Sequence, residues 1–312
     1  QFVTFLKKYG SKINAKIIAP EGIQFTHSLS DPILNDPEAC AELDILGGHF
    51  YGWNGSSYPL AMEKGKEVWM TEFLINERQE KQGINIDWKT DAFLFARNIN
   101  DAMLANMSAW VHYSLKRYYG CIGDGNFGTV NGQITKRGYI LSHYAKYVTG
   151  TTRIKHSINE SSGKMTSSAY LSVTGDSIVV MVINPTSSSY SMDFNLPFYT
   201  KGGMSVITTE SVNMKKNALA YSEETYIPNI AVDAYSVNTY IFVKSADREF
   251  DSEEETLTVV YSDKFENSGG KACIPNGWKI VYEGGTRTAG EYSLGPRLFY
   301  FSPEGQFTTG LY

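Results

Sequence analysis

The amino-acid sequence predicts an α/β region followed by all-β structure, and three observations carry that reading. Up to about residue 150, short β-rich runs alternate with stretches of helical periodicity, the pattern of βα units around a parallel sheet. Each of those runs ends in a polar or functional residue just before its loop, as strands of (β/α)8 barrels do where they carry an active site. After Gly150 the texture changes to short alternating strands separated by Asn, Gly, Pro and Ser turns, which is the signature of an antiparallel sandwich.

Four strands are readable in the first region: Ala15 to Glu21, Leu43 to His49, Glu67 to Glu72 and Ala109 to Ser114. Four strands cannot close a barrel that needs eight. Between them the clearest helix is Asp87 to Met107, where Phe93, Ala96, Ile99, Ala102 and Met103 recur at the spacing that covers a sheet. A further helix is predicted over Lys136 to Tyr147. The N-terminal run Gln1 to Gly10 reads as the end of an amphipathic helix, so the chain is expected to begin in mid-domain.

In the second region Ser177 to Ile183 and Thr239 to Val243 are predicted strands. The acidic stretch Asp247 to Glu255 reads as a solvated linker, because clustered like charges repel and bury nothing. A new β-rich segment starts near Leu257 and is expected to stop at Tyr312 within a strand. The predicted division is therefore 1–150 for the α/β region, 151–245 for the sandwich, 246–256 for the linker and 257–312 for a partial accessory β domain.

Composition narrows the function classes. With 42% hydrophobic residues, 312 residues bury a sizeable core. The net charge of −5 arises from 33 acidic and 28 basic residues dispersed along the chain, which argues against a nucleic-acid partner. No run of 18 apolar residues occurs, so no membrane partner is expected. Cys40, Cys121 and Cys273 are too few and too dispersed for a disulfide framework or a zinc site, and are expected to be buried thiols. The 21 Tyr within a 13% aromatic content suit sugar stacking and sandwich cores equally.

The strand ends nominate Glu21, His49 with Tyr51, Glu72, and His112 with Tyr113. A carboxylate there can be a nucleophile, an acid or base, a metal ligand or a partner for a loop amide. A half-buried His49 alone is easily satisfied by a backbone carbonyl. Trp53, in a loop above the strand ends, is a candidate for stacking on a sugar ring; Trp110, inside a strand, reads more readily as core. Glu77 and Arg78, after Glu72, either line a cleft or are solvated loop charges.

The run Lys66-Glu67-Val68-Trp69-Met70-Thr71-Glu72 resembles the nucleophile strand of glycoside hydrolase family 30, the xylanase and glucosylceramidase family. Ile18-Ala19-Pro20-Glu21 is similar to that family's fifth strand, Gly48-His49-Phe50-Tyr51-Gly52 to its sixth, and Ile134-Thr135-Lys136-Arg137-Gly138-Tyr139 to the start of its eighth helix, all in the family's order. The resemblance runs to about residue 245. It implies the second half of a (β/α)8 TIM barrel with an attached β-sandwich, and retaining hydrolysis by two carboxyl groups about 5 to 5.5 Å apart.

Glu72 falls on the nucleophile, and His49 and Tyr51 on the pair beside the reacting sugar. The family's acid/base Glu lies in an Asn-Glu-Pro motif that does not occur in this sequence, so the proton donor is expected outside this chain, which alone would be inactive. Glu21 is expected to be a structural hydrogen-bond acceptor. The segment Val111 to Gly120 resembles the loop after the eighth strand in the glucuronoxylanase branch, which places Tyr113, Arg117 and Tyr119 at the substrate and makes Arg117 and Tyr119 the readers of a glucuronate branch. A guanidinium fork suits a carboxylate; the competing reading is a surface pair of Arg117 with Asp124.

The resemblance thus implies an endo-β-1,4-xylanase acting on glucuronoxylan, secreted or at the cell surface, with no cofactor and no metal. The alternatives are a family relative cleaving a β-1,6-glucan or a glucosylated lipid, and a non-catalytic carbohydrate-binding protein. The tail, with Gly277-Trp278-Lys279 and Pro296 to Phe301, resembles the start of an accessory β-sandwich or a spacer domain.

Overall fold

The computed structural model describes residues 15–76, 83–159, 163–221 and 223–245, and beyond them the backbone of four three-residue strands. The runs Gln1 to Gly10, Asp247 to Glu255, Gly277 to Lys279 and Pro296 to Leu298, with Glu77, Arg78 and Cys273, lie outside the described residues. The chain divides into two compact units, Gln1–Phe250 and Asp251–Tyr312.

Four parallel strands form one sheet in sequence order: β1 (Ile18–Gly22), β2 (Ile45–His49), β3 (Glu67–Phe73) and β4 (Ala109–His112). Between and after them come α1 (His27–Asn35), α2 (Pro37–Glu42), α3 (Pro59–Glu63), α4 (Asp91–Leu104) and α5 (Lys136–Tyr147). Parallel neighbours need such crossovers, because a tight turn cannot return the chain to the same end of the sheet. On β3, Val68 and Met70 join Ala102, Ala105 and Met107 in one buried cluster, so that face of the strand meets the helical layer.

The element ends are set by local chemistry. The strand predicted from Ala15 begins at Ile18, because the Ile17 amide is taken by the Asp44 carboxylate at 2.7 Å rather than by the ladder. The helix predicted from Asp87 to Met107 is shorter at both ends. Asp87 accepts from the Lys89 amide in a turn, and Asn106 at φ 63° cannot continue a right-handed helix. Asp36 caps α2 by accepting from the Glu38 and Ala39 amides, with Pro37 at its first position. Two glycines on β2 are sterically required: a Cβ at Gly47 would lie 2.0 Å from Glu21 Oε1, and one at Gly48 2.1 Å from the Phe25 ring.

The second region is one antiparallel sheet ordered β10-β8-β11-β7-β6-β5, with β9 also on β8. Its strands are β5 (Thr152–Ile154), β6 (Thr166–Leu171), β7 (Ser177–Asn184), β8 (Tyr190–Thr208), β9 (Lys215–Leu219), β10 (Glu224–Val232) and β11 (Ser236–Lys244). Strand β8 belongs to two layers: its first half pairs with β10, and its second half pairs with β9 from Gly203 and with β11 from Thr200 across an irregularity near Gly203. The change occurs at Gly202, with φ 115°, and Gly203, where a Cβ would lie 1.8 Å from the Ile241 carbonyl oxygen. The sheet thereby folds over itself, setting Phe194 of β8 5.1 Å from Tyr240 of β11, a residue it does not pair with.

Strand β7 shows why its sequence is almost wholly apolar. Ile178 and Val182 face the core between the folded layers, whereas Val179, Met181 and Ile183 face a second core shared with α4 and α5. Both faces are covered, so the usual polar alternation is lost. In the last unit, β12 (Ile280–Tyr282) pairs with β13 (Gly285–Arg287), and β14 (Phe299–Phe301) with β15 (Phe307–Thr309), both antiparallel.

Candidate active site

The C-terminal ends of β1, β2 and β3 bring Glu21, His49 and Glu72 together. The register pairs His49 with Glu72 directly, after a bulge that places Thr71 opposite no residue of β2. Thr71 donates from Oγ1 to Glu21 Oε2 at 2.6 Å. His49 Nε2 lies 3.4 Å from that Glu21 oxygen and 3.8 Å from Glu72 Oε2, so the imidazole stands between the two carboxylates. Tyr51 donates from its hydroxyl to the other oxygen of Glu72 at 3.2 Å, and its ring stacks on Phe73.

Burial, then the charge of Glu72 and the hydrogen bond to it, push the Tyr51 phenol well above its ordinary pKa; Tyr113 adds to the shift. Tyr51 is therefore a protonated donor at any working pH. The Glu72 side chain remains about one-third exposed, so a substrate atom can reach the carboxylate that the Tyr51 hydroxyl holds. Glu21 has the acceptor role expected for it. Its partner, Thr71, was not evident in the sequence, because the bulge that aims that hydroxyl across to β1 is a tertiary feature.

The Arg117 loop is tied to this cluster through His112. At the end of β4 the His112 ring places Nδ1 2.9 Å from the Phe73 carbonyl and Nε2 2.8 Å from the Tyr119 carbonyl. Burial lowers its pKa and the two carbonyl contacts oppose that. The loop closes on itself by mutual bonds, with Arg117 N donating to Ile122 O and Ile122 N to Leu115 O. Gly120 allows this closure, since a Cβ there would lie 2.6 Å from the Arg117 nitrogen.

Arg117 lies 5.7 Å from the Tyr119 ring centroid, and Tyr119 stacks nearly parallel to Tyr113 at 6.4 Å. The surface pair with Asp124 is also present, through Nε only and at 3.9 Å, with the Arg117 side chain 55% exposed. Such a contact contributes little, and the terminal guanidinium nitrogens remain the better fork for a carboxylate.

Two aromatic candidates separate. Trp110 is core: its Nε1 donates to Asn98 Oδ1 at 2.8 Å and its ring meets Phe95 and His112. Trp53 stacks on Phe50 at 3.9 Å and donates to the Ser56 carbonyl, and it lines a cavity against α4 and Pro185 that none of Glu21, His49, Tyr51 or Glu72 lines. Cys40 and Cys121 are free but half-buried, where buried thiols were expected. Among the described residues no group of three His, Cys, Asp or Glu could hold a metal ion, and no helix is long and apolar enough to cross a membrane.

Arg137 is the residue whose role the sequence least revealed. Fully buried, it donates from Nη1 to the Asn85 carbonyl and side-chain oxygen and from Nη2 to the Ile75 carbonyl. Burial brings its pKa down to about 10, so it stays a cation, and Asp91, Cys121 and Tyr118 oppose the shift. It secures both sides of the loop that follows Glu72. Only its setting in the Lys136-Arg137-Gly138-Tyr139 run pointed to it.

No family model matches the chain. It is 33% identical over 223 residues to "Glucuronoxylanase XynC" of Bacillus subtilis strain 168, covering 69% of this chain and 50% of that protein. Among solved structures, the glycoside hydrolase family 30 subfamily 8 xylanase Xyn30A from Clostridium acetobutylicum matches with a TM-score of 0.67 and 29% identity, over 78% of this chain and 60% of that one. A family 30 endoxylanase from Clostridium papyrosolvens C71 matches with a TM-score of 0.65 and 28% identity, over 77% of this chain and 59% of that one. The chain is a relative of the glucuronoxylanases of glycoside hydrolase family 30, and it spans about half the length of the curated relatives it matches.

Proposed function

We propose that this chain is the C-terminal part of a retaining endo-β-1,4-xylanase directed to glucuronate-branched xylan outside the cell, with Glu72 as nucleophile. The observation that carries the reading is the Glu72 carboxylate at the end of a parallel strand, held by a hydrogen bond from Tyr51 Oη at 3.2 Å, with the His49 ring 3.8 Å from its other oxygen. A glycosyl-enzyme ester forms only if one carboxylate oxygen faces the anomeric carbon, and the Tyr51 bond to Oε1 fixes the carboxylate while Oε2 carries no hydrogen bond from Tyr51.

In this reading the four-stranded parallel sheet is the second half of a (β/α)8 barrel, and the proton donor comes from a part of the protein outside the 312 residues. Support for the second point is the absence of an Asn-Glu-Pro motif and the engagement of Glu21 with Thr71 and His49. Arg117 takes the glucuronate carboxylate with its guanidinium fork, and the exposed Tyr113 provides ring surface beside it, backed by the buried Tyr119 stacked on it.

The test joins the chain to an upstream half of the kind its relatives carry and measures hydrolysis of glucuronoxylan and of unbranched xylan. Glu72→Gln is expected to lower turnover on both by ~10³-fold or more. Arg117→Ala is expected to cost activity on the branched polymer alone, by about ten-fold or more, the size of a lost charge-assisted hydrogen bond. Equal loss on both polymers would make Arg117 structural and leave a retaining glycosidase of another specificity.

A further inference from the structure

The cavity that receives Trp53 has a volume of 500 Å³, within the range of roughly 300–1,000 Å³ typical of ligand sites. Its walls are of two kinds. Trp53, Phe93, Leu94 and Pro185 are the apolar part; the Trp53 ring is held by its stack on Phe50 and by the bond from Nε1 to the Ser56 carbonyl, and Leu94 is 56% exposed. Asn54, Thr90, Arg97, Asn98 and Asp101 are the polar part. On α4, Asp101 stands one turn beyond Arg97 and Asn98, close enough in the helix for its side chain to neighbour either of them. Asn98 is oriented by the Trp110 indole, which donates to its amide oxygen and leaves the NH2 group as its remaining donor.

A rigid indole beside a row of fixed donors and acceptors is the chemistry of a neutral, hydroxyl-rich ring: the apolar face of a pyranose stacks on the aromatic surface while its equatorial hydroxyls meet planar polar groups. Arg97 and Asp101, one turn apart, balance each other's charge, so the cavity has no net attraction for an anion or a cation. Resting on the reading that the protein's substrate is xylan, we propose that this cavity is a second, non-catalytic saccharide site that holds an unbranched stretch of the xylan chain away from Glu72. Lying between the Trp53 loop, α4 and Pro185 of the β-domain, it would give the polymer a hold apart from Glu72.

The 312-residue chain itself serves for the test, with xylohexaose as probe and backbone amide resonances as readout. The expected result is a saturable shift at 53–55, 94, 97, 98 and 101. Arg97→Ala, an exposed substitution that leaves the fold intact, is expected to weaken the affinity read at those amides by about ten-fold, while any shift near His49 and Tyr51 is unchanged. Shifts confined to His49, Tyr51 and Glu72 would overturn the second site and leave the xylanase reading standing. Shifts at the cavity with cello-oligosaccharides but none with xylohexaose would overturn the substrate class. No shift at the cavity with either sugar, or an affinity unmoved by Arg97→Ala, would also overturn it.

Discussion

At the scale of single residues, the decisive contacts are the few that hold Glu72. The Tyr51 hydroxyl contributes a donor whose proton is secured by burial and by the carboxylate it serves. Tyr51→Phe keeps the ring on Phe73 and removes only that donor. In the protein completed with an upstream half, kcat on xylan is expected to fall by about ten-fold with KM little changed, since one hydrogen bond to a charged group contributes roughly 1.5–3 kcal/mol. Steady-state kinetics decide it; an unchanged kcat would reduce Tyr51 to packing. Glu72 at the end of β3 was legible in the sequence, because a parallel strand read from its β-rich pattern fixes which residue emerges at its C-terminal end. The partners of Glu72 come from β2 and its loop, and their distances follow from a bulge that no local pattern announces.

At the scale of elements, Arg137 shows how a loop is held by a helix distant in sequence. From α5 it satisfies the backbone at Ile75 and Asn85 on both sides of the segment after β3. Arg137→Met fits the apolar part of the site but leaves two part-buried carbonyls, of Ile75 and Asn85, without their donor. The expected loss of stability is ~3 kcal/mol by urea unfolding, with faster amide exchange at 75–76 and 83–86 before any other region. Equal protection of that loop in both proteins would refute the staple. Strand β8 makes a similar point about length. Its 19 residues look like one strand, yet Gly202 and Gly203 let it pass from one layer to the next, so its two halves serve different neighbours.

At the scale of the whole molecule, the α/β region and the antiparallel sheet share one core, and polar bridges cross it. His143 of α5 sits fully buried between Thr239 Oγ1 at 2.7 Å and Thr208 Oγ1 at 2.9 Å. Trp88 donates to the Tyr235 carbonyl. Burial depresses the His143 pKa to about 3, against an ordinary value of 6.5. Below pH 6.5 the unfolded chain takes up a proton that the folded one refuses. Stability therefore falls as pH drops from 6.5 towards 3, by about 1.4 kcal/mol per pH unit from this group. His143→Gln keeps a donor and an acceptor between the threonines and removes the titration. Between pH 7 and pH 5 the unmutated protein is expected to lose about 2 kcal/mol more than the variant in urea unfolding; identical losses would show that His143 is not the group responsible.

What the sequence determined by itself is what depends on near neighbours along the chain: the order of strands and helices, the change of texture after Gly150, and the carboxylate and histidine carried at strand ends. Periodicity reports which face of an element is apolar, and turn residues report where it stops. Only the tertiary structure decided which of those residues meet. It placed His49 between Glu21 and Glu72, gave Thr71 to Glu21, joined the Arg117 loop to β3 through His112, moved Trp53 into a cavity on α4, and buried both faces of β7. The physical reason is common to all of these. Such contacts join residues tens of positions apart, and their distances are fixed by strand register and by how sheet and helices pack, neither of which a local pattern of side chains encodes.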